Sequence, residues 1–326
     1  MDITFHRGYT CYANGTDASV AIIAPHAGPA FRTVNSRDDN SETVASLCWR
    51  KTNGKLVVSN ISRLRDWGVD FNRDIPPLNT ALRMYHTFKE DVSSDEITTY
   101  KKQFGWVAKS EDDYYRRLRI YQNFWNEASD SKYIIMVHRA ISRIKSVPSV
   151  MDVVTFIDEE KKKDAIKEIV SRVNTKYYAF LKSVEKTYKK FVLLEQERVI
   201  SDLTKRHQSL ILKNLPMADR ELLEKDLDKI GKYSQKFVLK RLASTLTPQT
   251  FLGAAKHALR NIPTPQVTIE NVFDGSLALG PKRKFFPKKG KVLIEVEPTY
   301  FMNRWYPETT AKIIVDVVNM LKEVYV

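Results

Sequence analysis

Two histidines follow directly on short apolar segments of this chain. His26 closes the run from Ala21 and precedes Gly28, and His138 follows the run from Tyr133 to Val137. Runs of this length and composition predict buried β-strands, and α/β enzymes place their chemistry in the loops after such strands. Because neutral imidazole is the commonest side-chain metal ligand, the pair indicates a metal site. A lone histidine after an apolar run is also an ordinary core residue, so that alternative stays open for His138.

An acidic segment shortly after His26 offers a carboxylate for the same metal. Residues 37–42 read Arg-Asp-Asp-Asn-Ser-Glu. Catalytic zinc takes histidine and carboxylate ligands and keeps one position open for water. The same segment also predicts the start of a helix, with Ser41 as its N-cap and Glu42 in its first turn. Both interpretations can hold, because different acids can serve each.

The region between about 151 and 260 differs from the rest of the chain. Glycine nearly disappears there, and apolar residues from Ile166 to Leu203 recur at three- and four-residue steps, which predicts a long amphipathic helix. The pattern breaks at 214–216 and resumes at 223–242, so we expect a helical hairpin, followed by a shorter helix from Thr247. Strands resume near Val267. We therefore predict an α/β core from 1–150 and 261–326, with 151–260 as a helical insertion.

Charge is distributed unevenly along the chain. The formal net charge is +14, and more than half of it lies between 151 and 260. A further basic run, 281–291, reads as a hairpin. Basic patches with aromatic residues attract nucleic acid or other polyanions, but lysine-rich helix faces are also ordinary solvated surfaces.

Composition also bears on the compartment. The N-terminus does not read as a signal peptide, and no apolar stretch has the 18 or more residues that span a bilayer. Two cysteines, Cys11 and Cys48, are too few for a disulfide framework. We therefore expect a soluble, reduced, cytoplasmic protein that does not associate with membranes.

Four segments together resemble the N-formylglutamate amidohydrolase family of the zinc-carboxypeptidase-like hydrolases. They are Pro25-His26-Ala27-Gly28, Val69 to Pro76, Ile134 to Ser142 and Val292 to Met302. The family motifs read approximately Pro-His-Ser-Gly, Val-Asp-Leu-Asn-Arg-Asp-Pro, Asp-Xaa-His-Ser and Leu-Glu-Ile-Asn-Arg, in this order. The resemblance covers residues 20–86, 132–142 and 265–323. It implies an α/β fold with a mixed-sheet, zinc-carboxypeptidase-like core, of the phosphorylase/hydrolase-like kind, that carries the helical insertion.

The resemblance also implies a zinc site. Zn²⁺ would be held by His26, an acid from 38–42 and His138, and Glu295 would act on the bound water. Among the acids Glu42 is preferred, with Asp39 as the second choice, because the matching carboxylate of the family precedes a helix at slightly variable spacing.

Substrate contacts follow from the second motif. Asn72 and Arg73 resemble the family's clamp for a substrate carboxylate or amide, and an arginine fork can hold a carboxylate through two hydrogen bonds. The alternative is a simple turn capped by Asp74. Three further arginines are candidates for stabilising an oxyanion: Arg37, Arg63 and Arg65.

The chain departs from the family at two places. Met136 replaces an aspartate two residues before the second histidine, and Glu297-Pro298 replaces Asn-Arg after Glu295. N-formylglutamate itself is therefore not the expected substrate. We expect a hydrolase for another N-acyl amino acid or peptide-like amide, with the insertion as a lid or homo-oligomer contact. The alternative is a non-catalytic relative that binds nucleic acid or an acidic partner, and metal content separates the two.

Overall fold

The computed structural model describes residues 2–13, 16–30, 37–89, 95–142, 147–156, 160–206, 256, 259–260, 262–285 and 290–325. Within them the chain is a mixed α/β fold, as predicted. The strands are β1 (Asp2–His6), β2 (Tyr9–Ala13), β3 (Val20–Ala24), β4 (Lys55–Ser59), β5 (Tyr133–Val137), β6 (Ser149–Thr155), β7 (Gln266–Ile269) and β8 (Val292–Pro298). The helices are α1 (Ser41–Thr52), α2 (Leu78–Lys89), α3 (Asp95–Gln103), α4 (Glu111–Asn126), α5 (Glu160–Arg206), α6 (Leu279–Phe285), α7 (Tyr300–Trp305) and α8 (Pro307–Val324).

The eight strands form one mixed sheet in the order β1-β2-β4-β3-β5-β8-β6-β7. Its centre, β4-β3-β5-β8, is parallel. On one side β1 pairs antiparallel with β2 and β2 antiparallel with β4, and on the other side β6 pairs antiparallel with β8 and parallel with β7. The chain leaves β3 toward β4 and leaves β5 in the opposite direction, toward β6. In open α/β sheets, ligands bind beyond the carboxyl ends of adjacent strands whose connections diverge in this way. The two predicted histidines follow β3 and β5.

Helices cover both faces of the sheet. Alternate residues of β3 point to opposite sides: Val20 and Ile22 pack with apolar residues of α1, α5 and α8, and Ala21 and Ile23 pack with residues of α4 and α6. All five residues of β3 are fully buried. This double burial explains why the strand is apolar throughout rather than alternating.

Helix α5 confirms the long helix expected before Leu203. Its apolar positions pack into the main core, and the buried ones are Ile166, Ile169, Val170, Val173, Leu181, Val184, Tyr188 and Val192. Asn174, on the same helix, donates to the carbonyl of Val267 (2.8 Å) and accepts its N–H (2.9 Å). Because open strand edges invite pairing with other chains, this amide caps the outer edge of β7.

Several expectations need correction or lie beyond the described residues. The predicted break at 214–216, the second hairpin helix at 223–242 and the helix from Thr247 lie outside the described residues. The hairpin predicted at 281–291 is wrong: residues 279–285 form α6, with Pro281 in the first turn, where its missing N–H is not needed. Strand β6 crosses residue 150, so 151–155 belong to the sheet.

Two smaller expectations can be compared with the structure. Ser41 is the first residue of α1 rather than its N-cap, which is Asn40 in a left-handed conformation. Both cysteines are free, as predicted, and both are buried. Within the described residues, no helix has the length and apolar character needed to cross a membrane.

Candidate metal centre

His26 is positioned by a tight contact between two loops. The backbone after β3 passes so close to the loop after β4 that a Cβ atom on Gly28 would lie 1.9 Å from the carbonyl oxygen of Ile61. Only glycine fits such an approach, which explains the glycine of the Pro-His-Ala-Gly segment. The contact places His26 beside Arg63, whose Nη1 lies 3.0 Å from His26 Nδ1.

His138 is positioned by the sheet itself. Its N–H donates to the carbonyl of Val296 (2.9 Å), which continues the pairing of β5 with β8 by one residue. Its own carbonyl accepts a hydrogen bond from Nδ2 of Asn303 (3.1 Å), which lies in α7, the helix that follows β8. Because β3 and β5 are adjacent and parallel, the rings of His26 and His138 come together, with centroids 4.7 Å apart.

Asp38 lies between the two imidazoles. Its Oδ2 is 3.2 Å from His26 Nδ1 and 2.9 Å from His138 Nδ1. The N–H of Asp38 donates to the carbonyl of His26 (3.0 Å), which ties the acidic segment to the histidine loop. All three side chains are buried. They form a group that could hold a metal ion.

The other acids of this segment lie elsewhere. Glu42 pairs with Arg37, and Asp39 lies 3.7 Å from the same guanidinium. The cause is the turn at Asn40 (φ 63°), which ends the acidic segment and begins α1, so that Glu42 belongs to the helix. Asp38, rather than the preferred Glu42 or the second choice Asp39, is therefore the carboxylate that the structure brings to the histidines. Arg37 is committed to these acids and does not line the pocket described below.

Asp70 holds the second nitrogen of His26, a contact that sequence reasoning missed. Because an arginine can only donate, Arg63 requires Nδ1 of His26 to be the acceptor, so Nε2–H donates to Asp70 Oδ1 (2.9 Å). Asp70 also accepts the N–H of Asn72 (3.1 Å) and pairs with Arg65 (3.0 Å). Metal-binding histidines characteristically donate their other ring N–H to a carboxylate. The sequence did offer a signal for this contact, because Asp70 is a single acidic residue between two apolar residues, Val69 and Phe71, that are buried.

The charges of the site favour ionised carboxylates. Burial would raise the pKa of Asp38, but the charge of Arg63, a hydrogen bond from His138 and the nearby His26 outweigh it and hold that pKa well below its usual value. Burial likewise opposes ionisation of Asp70, and the charges of Arg65, Arg73 and His26 prevail to lower its pKa. Both groups therefore stay anionic at neutral pH.

The second nitrogen of His138 faces the pocket. Nε2 lies 3.2 Å from Asn72 Nδ2 and 3.6 Å from Glu295 Oε1. Burial lowers the pKa of His138, but the charge of Glu295 and the contact with Asp38 outweigh it and raise the pKa. The side-chain oxygen Oδ1 of Asn72 is buried and has no hydrogen-bond partner among the described residues. With the amide turned about, that oxygen would accept Nε2–H and leave the lone pair of Nδ1 to a metal.

Glu295 lies in the middle of β8. Glu295 and Glu297 project on one side of the strand, and Val296 packs on the other. Oε2 of Glu295 is buried, and no described residue forms a hydrogen bond with it. Burial, together with the charges of Glu295 and Asp38, raises the pKa of Glu297 well above its usual value. His138, Glu295 and Glu297 form a second group that could hold a metal ion.

These side chains line a pocket of about 650 Å³. Its rim includes three cationic residues, Arg63, Arg73 and Arg139, and the loop 270–278. Arg73 donates to the carbonyls of Leu277 (2.6 Å) and Lys101 (3.2 Å), so part of the predicted substrate clamp holds the rim together. Asn72 lies deeper, beside His138.

A larger groove of about 770 Å³, between α5 and β7, contains none of the predicted site residues.

The rim loop is anchored by one buried acid of β6. Asp152 accepts the N–H groups of Asn271 (3.2 Å), Val272 (2.7 Å) and Phe273 (2.9 Å). It also accepts the hydroxyl of Thr268 (2.6 Å). Burial raises the pKa of Asp152 although these hydrogen bonds oppose the shift. Asp152 therefore shapes the pocket without facing it.

Comparisons with known proteins add little to this description. No protein-family model and no curated protein matches the chain. The crystal structure of gene product Atu2144 from Agrobacterium tumefaciens is similar to it at 10% sequence identity over 97% of this chain and 96% of that chain, with a TM-score of 0.47. A likeness at this level carries no argument about function. The family resemblance stays an inference from the motifs.

Proposed function

We propose that this chain is a zinc-dependent hydrolase of the N-formylglutamate amidohydrolase type, with a carboxypeptidase-like core, that cleaves the amide bond of an N-acyl amino acid or peptide-like substrate. One observation carries the proposal. Two buried imidazoles and a buried carboxylate converge beyond adjacent parallel strands, beside a pocket lined by a carboxylate with a free oxygen.

The donor set suits zinc. Imidazole nitrogen and carboxylate oxygen are its common ligands in catalytic sites, and His26 has the carboxylate partner on its other nitrogen that such ligands need. Arg63 donates to the lone pair of His26 Nδ1, so its guanidinium must move aside for an ion to bind there. Asp38 is then the third ligand, in place of the Glu42 expected from the motif spacing.

When bound, zinc would supply a Lewis acid that polarises the scissile carbonyl and lowers the pKa of water to about 7. Glu295 is the proposed general base: it takes a proton from the attacking water and delivers it to the leaving nitrogen. Its place inside β8 fixes its backbone, and the unpartnered Oε2 is free to accept that proton.

The rim residues favour an anionic substrate group. Arg63, Arg73 and Arg139 line the pocket with positive charge, and guanidinium groups bind carboxylates strongly. Glu297 lies on the floor instead of the Asn-Arg pair of the family, which argues against N-formylglutamate itself. The proposed substrates are therefore other N-acyl amino acids and short peptides with a free carboxylate.

Hydrolysis of a panel of such amides by the zinc-loaded protein tests the proposal. Glu295→Gln should lower turnover at least about a hundredfold, since general acid–base assistance is worth roughly 10²–10⁴-fold, while the fold and the bound zinc persist. The matched control, Glu308→Gln in the exposed first turn of α8, should behave as wild type. Full activity of Glu295→Gln, or no cleavage of any amide by the wild type, would refute the hydrolase and favour the non-catalytic binding protein. Loss of zinc from Glu295→Gln would make that residue a ligand.

A further inference from the structure

Glu295 and Glu297 form a pair of like charges buried in the floor of the pocket. They are 5% and 7% exposed, and they stand two residues apart on the same side of β8. Oε1 of Glu295 lies 3.6 Å from Nε2 of His138, and Oε2 has no hydrogen-bond partner among the described residues. The pair therefore carries one oxygen, Oε1 of Glu295, close to an imidazole and a second, Oε2, without a partner.

Such a pair is costly without a compensating cation. Two buried carboxylates cannot both ionise freely at close range, so either a proton or a positive ion must lie between them. Asp152, opposite Glu297 on β6, adds a further negative charge, and its own oxygens are occupied by the rim loop. The surroundings thus favour positive charge at this point.

We propose that Glu295, Glu297 and Nε2 of His138 are a second ligand set for a divalent first-row transition-metal ion. One ligand atom from each residue lies within 4.8 Å of the others, and all three residues are buried. A mixture of carboxylate and imidazole suits Zn²⁺ and its neighbours. Glu297 belongs to the segment where this chain departs from the resembled motif, so the motif itself does not contain this ligand set.

The two ligand sets share His138. Its Nδ1 faces Asp38 and its Nε2 faces Glu295. A neutral imidazole has one lone pair, so one ion occupies one set or the other. An ion in the second set engages Glu295 and removes it from the role of base. The second set is therefore an alternative, weaker position for the ion, and its binding can be measured without any hydrolysis.

Zn²⁺ binding by equilibrium dialysis with metal analysis tests this inference on the full-length chain. Wild type and Asp38→Asn should each bind about one ion, the variant more weakly and with a different Co²⁺ absorption spectrum. Adding Glu297→Gln to Asp38→Asn should weaken binding further, at least about tenfold. The matched control, Glu42→Gln in the Asp38→Asn background, should bind like Asp38→Asn alone, because Glu42 pairs with Arg37.

Three outcomes overturn the second set. Folded Asp38→Asn that binds no Zn²⁺ would show that the first set is required for any binding. An effect of Glu297→Gln below about twofold in that background would mean that a shared proton, not an ion, lies between the glutamates. A wild type that binds no Zn²⁺ refutes both sets. If Asp38→Asn does not fold, His26→Gln with and without Glu297→Gln gives the same comparison. Absence of hydrolysis by the wild type leaves these results unchanged, so the two proposals fail separately.

Discussion

Asp70→Asn is the substitution whose consequences follow most directly from the contacts of the site. Asp70 is 2% exposed and pairs with Arg65, whose side chain is 11% exposed. Removing one partner of a buried ion pair costs about 3–5 kcal/mol, because the other charge is left uncompensated. Asparagine keeps the volume of the side chain but has one carbonyl oxygen in place of two acceptors. We therefore expect the free energy of unfolding to fall by about 3 kcal/mol or more.

The same substitution should weaken zinc binding. Nε2–H of His26 loses its carboxylate partner, and loss of such a partner typically costs about 10–100-fold in metal affinity. Urea unfolding followed by circular dichroism measures the stability, and competition with a chelator measures the affinity. Asp74→Asn is the control: its partner Arg283 is 60% exposed, and exposed pairs contribute about 0–1 kcal/mol. An Asp70→Asn protein as stable as this control, with unchanged zinc affinity, would refute the reasoning.

Three further predictions concern packing, pH and substrate binding. Leu181→Ala should cost about 2–5 kcal/mol in thermal or urea unfolding because Leu181 is 1% exposed, whereas Leu194→Ala, at a 60% exposed site on the same helix, should change stability by less than about 0.5 kcal/mol. Burial opposes ionisation of Asp113, but the charge of Arg117 outweighs it and lowers the pKa of Asp113. The resulting stabilisation is present above the unfolded pKa of about 3.9 and is lost as pH falls below it. The difference in unfolding free energy between wild type and Asp113→Asn should therefore narrow below about pH 4, and a difference that stays constant down to pH 2 would contradict this prediction. Arg73→Ala should raise KM for substrates with a free carboxylate more than for their amides, and equal effects on both would argue against a substrate contact.

The sequence predicted the convergence of the two histidines because their position depends on simple rules. Apolar runs of five residues predict buried strands, and loops after parallel strands meet at one edge of the sheet. The apolar stripe of α5 was equally readable, since burial of one helix face imposes a three- and four-residue period. These features rest on local pattern and generic topology.

The identity of the third candidate ligand could not be read in the same way. Asp38 rather than Glu42 reaches the histidines because Asn40 adopts a left-handed conformation and the N–H of Asp38 donates to the carbonyl of His26. Neither feature produces a periodic pattern in the sequence. Asp70 was visible as a motif residue, but its partner lies 44 positions away. The basic run at 281–291 was predicted to be a hairpin, whereas Pro281 lies in the first turn of α6.

Anomalous diffraction at the zinc edge, from crystals of the zinc-loaded protein, tests the central claim most directly. We expect an anomalous peak about 2.0–2.2 Å from His26 Nδ1, a carboxylate oxygen of Asp38 and His138 Nδ1. Crystals of His26→Ala should show no such peak. A zinc-loaded protein without a peak at these residues, or with its zinc bound to Glu42 after displacement of Arg37, would contradict this expectation.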